Sequence, residues 1–223
     1  AISESIYSLG SNLIFISSTF SRVGPGERPQ NTGGLVYDDV AAIREKIKGV
    51  AGVTVDQQAS VTVRRGDVTL DGVTLLGTTA DYPVVRGLSI ASGRYFTNTE
   101  VERAQKVAVL GKTIAEKLFG DEDPIGQAIT VNKTQLTVIG VLAEKGLVAG
   151  TDFDQIIYTP IKVVFQKFTP SQFARFMGDR VRQITVAVEP NANIDQVVEQ
   201  ITLLLVNRHN VSADSPDFNI RTQ

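Results

Sequence analysis

The sequence contains no cysteine and no tryptophan, and it has a single histidine, His209, among 223 residues. Without cysteine there is no disulfide framework, no thiolate nucleophile and no thiolate metal site. A single histidine excludes a metal site built from several histidines of one chain. The net charge is −2 and the longest basic run is Arg64-Arg65, so the charge gives no reason to expect a nucleic-acid partner.

Long hydrophobic runs are also missing. The longest uninterrupted apolar stretch, residues 138–143, is far shorter than the roughly 18 residues that span a bilayer. No signal-peptide pattern opens the chain. The chain begins with a short helical pattern and stops after a predicted strand, as we expect of a domain excised from a longer protein.

Three motifs that would predict nucleotide binding or catalysis are absent: a Walker A run, a G-x-G-x-x-G turn after a strand, and a G-x-S-x-G elbow. His209 follows an amphipathic helix, beside Arg208, where the helix dipole favours a cation. We interpret His209 as a structural residue. The alternative is that His209 acts as a general base that activates a serine nucleophile, but no motif predicts such a serine. The sequence therefore assigns no catalytic, cofactor-binding or metal-binding residue.

The first third of the chain predicts a β-α-β unit. Residues 12–20 are apolar and β-branched, as in a strand. A helix is predicted to begin with Asp38 as its N-cap and to end before Gly49. Residues 53–63 then alternate as a strand does.

The C-terminal residues predict the same unit again. Residues 182–188 alternate as a strand, Asn193 caps a helix with one apolar face, and residues 217–221 form a closing strand. Two such units can pair their four strands into one sheet with both helices on one face, which is the split β-α-β arrangement.

The middle of the chain predicts a β-rich insertion. Asp71-Gly72 is a strong hairpin signal within residues 67–79, and a second hairpin is predicted around residues 132–134. Between them, a strand at residues 106–110 leads into a helix over residues 112–119.

After the insertion, residues 156–159 are predicted to return to the frame. A helix is expected between Ile161 and Met177. The predicted organisation is therefore discontinuous: a frame, an inserted lobe, and the frame again.

Three groups of side chains allow two interpretations each. Asp121-Glu122-Asp123 is either an exposed turn, which we favour, or a site for a hard cation. Asp152 and Asp154 are either a solvated loop, which we favour, or a carboxylate pair for acid–base chemistry. An aromatic cluster is either core, which we favour, or an exposed patch for a lipid, drug or partner protein. Its members are Phe165, Phe168, Phe173 and Phe176.

Seven segments, taken in order, resemble the periplasmic core domain of MacB-type ABC transporter permeases, a group that includes relatives of the lipoprotein-releasing and FtsX-like permeases. No segment is specific alone, but the ordered set covers essentially the whole chain. The segments are SLGSNLIFI (8–16), VTVDQQ (53–58), GRYFTNTE (93–100), VAVLGKTIAEKLFG (107–120), DPIGQAI (123–129), TVIGVLAEKG (137–146) and DFDQIIYTPI (152–161).

The resemblance implies an α+β fold in two lobes. Residues 1–62 and 152–223 would form a ferredoxin-like split β-α-β porter lobe, and residues 63–151 an inserted β-rich, sabre-like lobe. It also implies a non-catalytic extracytoplasmic (periplasmic) domain of an ABC exporter permease of the inner (plasma) membrane, with no cofactor. Such a domain relays ATP-driven conformational change, called mechanotransmission, and engages an adaptor or substrate for efflux. The ATPase would belong to a nucleotide-binding domain that this sequence lacks.

The implied partners follow from the same resemblance. They are a second permease copy, forming a homodimer in the full transporter, and in a Gram-negative envelope a periplasmic adaptor and a TolC-like outer-membrane channel. Membrane attachment would run through flanking helices, and no nucleic acid is expected. No contact residue for adaptor or substrate can be assigned. The alternatives are a stand-alone envelope substrate-binding or adaptor protein and, third, a hydrolase with an unrecognised site.

Overall fold

The structure is a computed structural model that describes residues 12–19, 34–169 and 180–223. The chain divides into two compact units. The first unit takes the described residues up to Val55, the short segment Val84–Gly87, and the described residues from Arg180 onward. The second unit takes Asp56–Pro83 and the described residues from Leu88 to Thr169.

The helices and strands follow one another along the described residues with short connections. Within these ranges, no helix combines the length and the apolar character needed to cross a membrane. The elements are β1 (Leu13–Ser18), α1 (Asp38–Lys46), β2 (Val50–Val55), β3 (Gln57–Arg65), β4 (Val68–Thr78), α2 (Tyr82–Arg86), β5 (Ile90–Gly93), α3 (Asn98–Glu102), β6 (Val107–Leu110), α4 (Lys112–Phe119), β7 (Ala128–Val131), β8 (Thr134–Leu142), β9 (Leu147–Val148), β10 (Thr151–Asp152), a 3-10 turn (Phe153–Gln155), β11 (Ile156–Pro160), α5 (Ile161–Lys167), β12 (Gln183–Val188), α6 (Ile194–His209) and β13 (Phe218–Thr222).

The first unit contains a four-stranded sheet in the order β13-β1-β12-β2, in which all neighbours are antiparallel. Ile14 lies opposite Val186 on one side and Thr222 on the other. Because β12 lies between β1 and β2, these two strands run parallel, and α1 makes the crossover between them. The strands β12 and β13 flank β1 in the same way, with α6 as their crossover. This is the predicted pair of split β-α-β units.

The predicted apolar helix faces form the core of the first unit. In α1, the side chains of Val40 and Ile43 are 3% and 0% exposed. In α6, Val197, Ile201 and Leu205 are buried, at spacings that put them on one side of the helix. Each such aliphatic side chain contributes roughly 1.5–3 kcal/mol when it leaves water.

The second unit contains a seven-stranded sheet in the order β5-β8-β6-β11-β4-β3-β7. An additional pairing between β7 and β8 closes β8, β6, β11, β4, β3 and β7 into a ring, and β5 is attached outside it to β8. Two neighbouring pairs, β4 with β11 and β6 with β8, are parallel, and the other pairs are antiparallel.

The core of the second unit lies against this ring. The helix α4 buries Ile114, Ala115, Leu118 and Phe119, the face that the sequence predicts. The helix α5 approaches closely enough that a Cβ atom on Gly77 would lie 2.6 Å from Cγ2 of Val164. Strand residues complete the core: Val61, Val63, Val73, Leu75, Ala108, Leu110, Ile129, Val131, Leu136, Val138 and Ile157.

The bounds of the two compact units differ from the bounds that we expected for the two lobes. The chain enters the second unit at Asp56, and both β11 and α5 belong to that unit, so residues 56–62 and 152–169 lie in the unit expected for residues 63–151. The sequence predicts one continuous strand at 53–63, but the structure has two strands there, which belong to different sheets and are separated at Asp56. The carboxylate of Asp56 accepts a hydrogen bond from the Thr78 hydroxyl at 2.7 Å. Alternation continues on both sides of Asp56, so periodicity does not reveal the change of sheet. The names porter-like and sabre-like stay predictions for these units.

The hairpin predicted at Asp71-Gly72 is wrong. The turn lies at Gly66-Asp67, because Arg65 pairs with Val68. Gly66 has φ +57, as glycine permits at the first position of such a turn. At Asp71-Gly72 the register between β3 and β4 shifts instead, so these residues form a bulge within one long strand. The second predicted hairpin is confirmed, with Asn132 at φ +51 in its turn.

Candidate functional site

A buried ionic cluster joins the last turn of α6 to the first turn of α1 in the first unit. The Nε2 atom of His209 lies 2.8 Å from Oδ2 of Asp39, and its Nδ1 atom lies 2.7 Å from Oδ1 of Asp217. The Nε atom of Arg208 donates to Oδ1 of Asp39 at 3.0 Å, and the backbone N–H of Val36 donates to Oδ2 at 2.9 Å. Asp39 is fully buried. Helix dipoles favour this arrangement, since the anion lies at a helix start and the cations at a helix end.

The proton of this cluster resides on His209. The hydrogen bond to Asp39, followed by the one to Asp217, raises the pKa of His209 to about 9 against the opposing effect of burial. Burial alone would raise the pKa of Asp39. The hydrogen bonds from His209, Val36 and Arg208 outweigh burial, and the pKa of Asp39 is lowered. Both ring nitrogens of His209 therefore donate to carboxylates, and neither is available to accept a proton from a substrate. This geometry fits the structural interpretation of His209.

The carboxylates of Asp152 and Asp154 bind backbone and side-chain donors of their own loop. The Asp154 oxygens accept from the backbone N–H groups of Lys145 and Gly146, each at 2.8 Å. The Asp152 oxygens accept from the N–H of Asp154 at 3.1 Å and from the side-chain amide of Gln155 at 2.9 Å. The two carboxylates therefore organise the loop, and Asp154 is buried rather than solvated as we expected.

The acidic cluster at residues 121–123 is divided among different partners. Glu122 forms an ion pair with Arg65, whose guanidinium also lies over the Phe119 ring at 4.7 Å. Asp123 accepts a hydrogen bond from the backbone N–H of Ile125 at 3.0 Å. In the part of the chain that the structure describes, no group of three or more histidine, aspartate or glutamate side chains is placed to hold a metal ion.

The aromatic cluster falls partly outside the described residues. Phe165 is half-buried at the end of α5, and Phe168 packs against the core of the second unit. Phe173 and Phe176 lie outside the described residues, so the interpretation of the cluster as core or exposed patch stays a prediction.

The motif GRYFTNTE builds a capped turn. The side chain of Thr97 accepts from the backbone N–H of Glu100 at 3.2 Å, and the Glu100 side chain accepts from the Thr97 N–H at 3.0 Å, which together form a capping box at the start of α3. Arg94 holds the same carboxylate with two bonds of 2.6 and 3.1 Å. A Cβ atom on Gly140 would collide with the backbone carbonyl oxygen of Arg94, so glycine is needed there for close approach of the two segments.

A group of tyrosines in the second unit was missed by the sequence analysis. The rings of Tyr82 and Tyr158 lie 5.6 Å apart, and the Tyr158 hydroxyl donates to the carbonyl of Phe153 at 2.9 Å. The hydroxyl of Tyr95 is buried and has no hydrogen-bond partner among the described residues. Burial raises the pKa of both Tyr95 and Tyr158, so both phenols are protonated at neutral pH. No periodic sequence pattern predicts this group of tyrosines, because its members come from three separate segments.

Two further surface features belong to the second unit. A groove of about 300 Å³ runs beside the bulge of β4, and its lining is largely polar: Thr69, Leu70, Asp71, Gly72, Val73, Thr74, Ile114, Lys117 and Gln155. The hairpin of β9 and β10 carries two exposed apolar side chains, Leu147 and Val148, which are 72% and 41% exposed.

The family model described as the MacB-like periplasmic core domain matches residues 1–204 of this chain. The chain is 38% identical over 221 residues to the macrolide export ATP-binding/permease protein MacB of Azoarcus sp. (strain BH72), covering 98% of this chain and 31% of that protein. It is 35% identical over 222 residues to the protein of the same name from Rhodospirillum rubrum, covering 97% and 31%. The chain therefore spans about a third of the length of the curated relatives it matches.

Solved structures share the fold. The periplasmic region of MacB from Actinobacillus actinomycetemcomitans matches 97% of this chain and 91% of its own chain, with a TM-score of 0.72 and 25% identity. The extracellular domain of the noncanonic ABC-type transporter YknZ from Gram-positive bacteria matches 94% and 100%, with a TM-score of 0.68 and 23% identity, and shows the fold alone.

Proposed function

Because the chain belongs to the MacB-like periplasmic core domain family, we propose that it is the extracytoplasmic part of an ABC exporter permease, on the periplasmic side of the inner membrane, and that it works in efflux as a moving part. The relatives named as ATP-binding/permease proteins are about three times as long as this chain. The ATPase and the membrane-spanning segments would lie in the rest of the parent protein. The far greater length of these relatives disfavours a stand-alone binding protein.

The proposal of a mechanical role rests on the strand order of the first unit. Its two β-α-β halves interleave strand by strand, since each half places one strand between the two strands of the other. The fully buried carboxylate of Asp39, paired with His209 and with the partly exposed Arg208, then ties the two crossover helices together. A movement applied to one half therefore carries the other half with it. We propose that this unit relays ATP-driven displacement as a rigid body.

The partners that we propose are a second permease copy and, in a Gram-negative envelope, a periplasmic adaptor with a TolC-like outer-membrane channel. They are proposed for the whole transporter. The support is the chain's membership of the family whose resemblance implies these partners, together with the similarity over almost the entire chain; the names of the curated relatives themselves state only macrolide export, ATP binding and a permease.

The test uses the full-length transporter in lipid nanodiscs. These 223 residues contain no cysteine, so a single cysteine at the exposed Glu199 of α6 can carry a spin label in each copy, on a background cleared of any cysteine elsewhere. We expect the distance between the two labels to change between the nucleotide-free and the ATP-bound state. Equal distances in both states would contradict the relay, and the absence of a label-to-label signal would contradict the dimer.

A further inference from the structure

One edge of strand β4 lies open beside the groove described above. Strand β11 pairs with β4 only from Thr74 onward, and among the described residues no strand pairs with the stretch from Val68 to Val73 on that side. The groove is lined by every residue from Thr69 to Thr74. Because successive side chains of a strand point to opposite faces, a groove that touches all of them runs along the edge of the strand and not over one face.

The main chain of Thr69 points toward this open side. The two-residue turn places Arg65 opposite Val68, and the residues that flank such a turn form a hydrogen-bonded pair. The next pair, Arg64 and Thr69, is therefore a non-hydrogen-bonded pair, whose N–H and C=O groups point away from each other. Those of Arg64 face β7, its other neighbour. Those of Thr69 face the groove, where the described part of the chain supplies no strand.

The open edge is recessed behind a helix. Helix α4 forms the opposite wall of the groove through Ile114 and Lys117, and Gln155, the residue before β11, lines it as well. The stretch from Thr69 to Thr74 is roughly 15 Å long in a strand. The groove volume of about 300 Å³ is at the small end for binding sites. A flexible segment of a few residues can therefore enter, whereas α4 stands in the way of a whole folded sheet.

We propose that this groove is a strand-addition site, which binds a short extended segment of a partner polypeptide with its main chain paired to Thr69. The open N–H and C=O groups of a strand edge are matched by an extended main chain, and recognition of this kind depends on the backbone of the ligand. The bulge at Asp71-Gly72 interrupts the regular ladder, so the paired segment is short. The inference goes beyond the proposed function and does not depend on it.

The lining of the groove argues against other classes of ligand. It is largely polar, so it does not suit a lipid chain or another mainly apolar molecule. One cation, Lys117, and one anion, Asp71, line it together, so its charge favours neither an anionic nor a cationic ligand. The side chains of Thr69, Thr74 and Gln155 add uncharged donors and acceptors, which suit the amide groups of a peptide. We therefore expect an uncharged polar segment as the occupant.

The experiment titrates a synthetic peptide, acetyl-TVTVT-amide, to millimolar concentration into the isotope-labelled 223-residue chain and follows the backbone amides by NMR. The periplasmic region of MacB from Actinobacillus actinomycetemcomitans was crystallised as a separate region, so this chain is expected to fold by itself. We expect the amide resonances of residues 68–74 to shift. The same peptide methylated at its amide nitrogens is expected to bind at least about tenfold more weakly, because it cannot donate main-chain hydrogen bonds.

Two variants of Thr69 test the main-chain contact directly. Thr69→Pro removes the N–H group that points into the groove and removes no N–H group of the ladder with β3, so it should weaken peptide binding at least about tenfold. Thr69→Ala is the matched control, because it keeps that N–H group, and it should bind the peptide as the wild type does. Thermal unfolding verifies that both variants are folded. If Thr69→Pro does not fold, the comparison of the two peptides decides.

Several results would overturn the strand-addition site. One is the absence of shifts at residues 68–74 with the unmodified peptide. Another is equal affinity for the methylated and unmodified peptides, which would mean that the main chain of the ligand is not recognised. Equal binding by wild type and a folded Thr69→Pro would exclude pairing with this edge. A loss of binding in Thr69→Ala as large as that in Thr69→Pro would identify a side-chain contact instead.

Discussion

The imidazole Nε2 atom of His209 lies 2.8 Å from the Oδ2 atom of Asp39, although 170 positions separate the two residues in the chain. The contact joins the crossover helices of the two interleaved halves of the first unit. Because Arg208 bonds the other oxygen of the same carboxylate, one buried anion holds two cations of the neighbouring helix.

The stability of the protein should fall at alkaline pH. The pKa of His209 is raised in the folded state from 6.5 to about 9. The folded state therefore holds the proton more tightly than the unfolded state. The resulting stabilisation is complete below about pH 6.5 and is lost as the pH rises through about 9. We expect the free energy of unfolding in urea to decline over this range, and to decline less in His209→Gln. A wild-type protein as stable at pH 9.5 as at pH 6.5 would contradict the assignment.

Replacing Asp39, the shared anion, should lower the free energy of unfolding far more than replacing its neighbour Asp38. Asp39→Ala leaves His209 and Arg208 without their common carboxylate, and breaking a buried pair typically costs about 3–5 kcal/mol. Asp38→Ala is the control, because Asp38 is exposed one position earlier in the same helix turn and contributes about 0.3–1 kcal/mol through the helix dipole. If urea unfolding shows the same loss of unfolding free energy for both variants, the burial and pairing of Asp39 do not contribute to stability.

Gly140→Ala should destabilise the protein although alanine suits strands better than glycine. The added Cβ atom would collide with the backbone oxygen of Arg94, which cannot move without disturbing β5. Overpacking of this kind costs about 1–3 kcal/mol. Ser92→Ala, at an exposed position of β5, is the control and should change the free energy of unfolding by no more than about 0.5 kcal/mol. Thermal unfolding at equal protein concentration measures both.

Thr97→Ala should lower stability by about 1 kcal/mol, because it removes the N-cap oxygen that accepts from the Glu100 N–H. Thr99→Ala changes an exposed residue of the same type two positions later, inside α3, and lacks this effect. Urea unfolding of the two variants compares them directly. If Thr99→Ala is the more damaging change, the capping box is not the reason that this motif folds as it does.

Part of the fold was readable from local patterns. The apolar face of α4, the cap at Asn193 and the hairpin around Asn132 each depend on residues within one or two turns of each other, and the structure confirms them. The Thr97 cap within one of the family motifs also meets a local geometric need, whereas the need for glycine at position 140 comes from the backbone of Arg94 on another segment.

Other features depended on distant residues. The strand that changes sheets at Asp56 alternates on both sides of it, and only the pairing partners separate β2 from β3. The hairpin turns at Gly66-Asp67, although the local sequence predicts a turn at Asp71-Gly72. The register with β3 makes Asp71-Gly72 a bulge instead. The exposure of Leu147 and Val148 was equally invisible, since apolar side chains of a strand are buried in most contexts.

The sequence by itself determined most helices and strands of the first unit, their split β-α-β organisation and the absence of cysteine chemistry, because these follow from periodicity, caps and composition. Tertiary structure alone decided which sheet each strand joins, which carboxylates meet His209, and which apolar side chains stay exposed. Those properties are set by contacts between residues far apart in the chain, and no local pattern records such contacts.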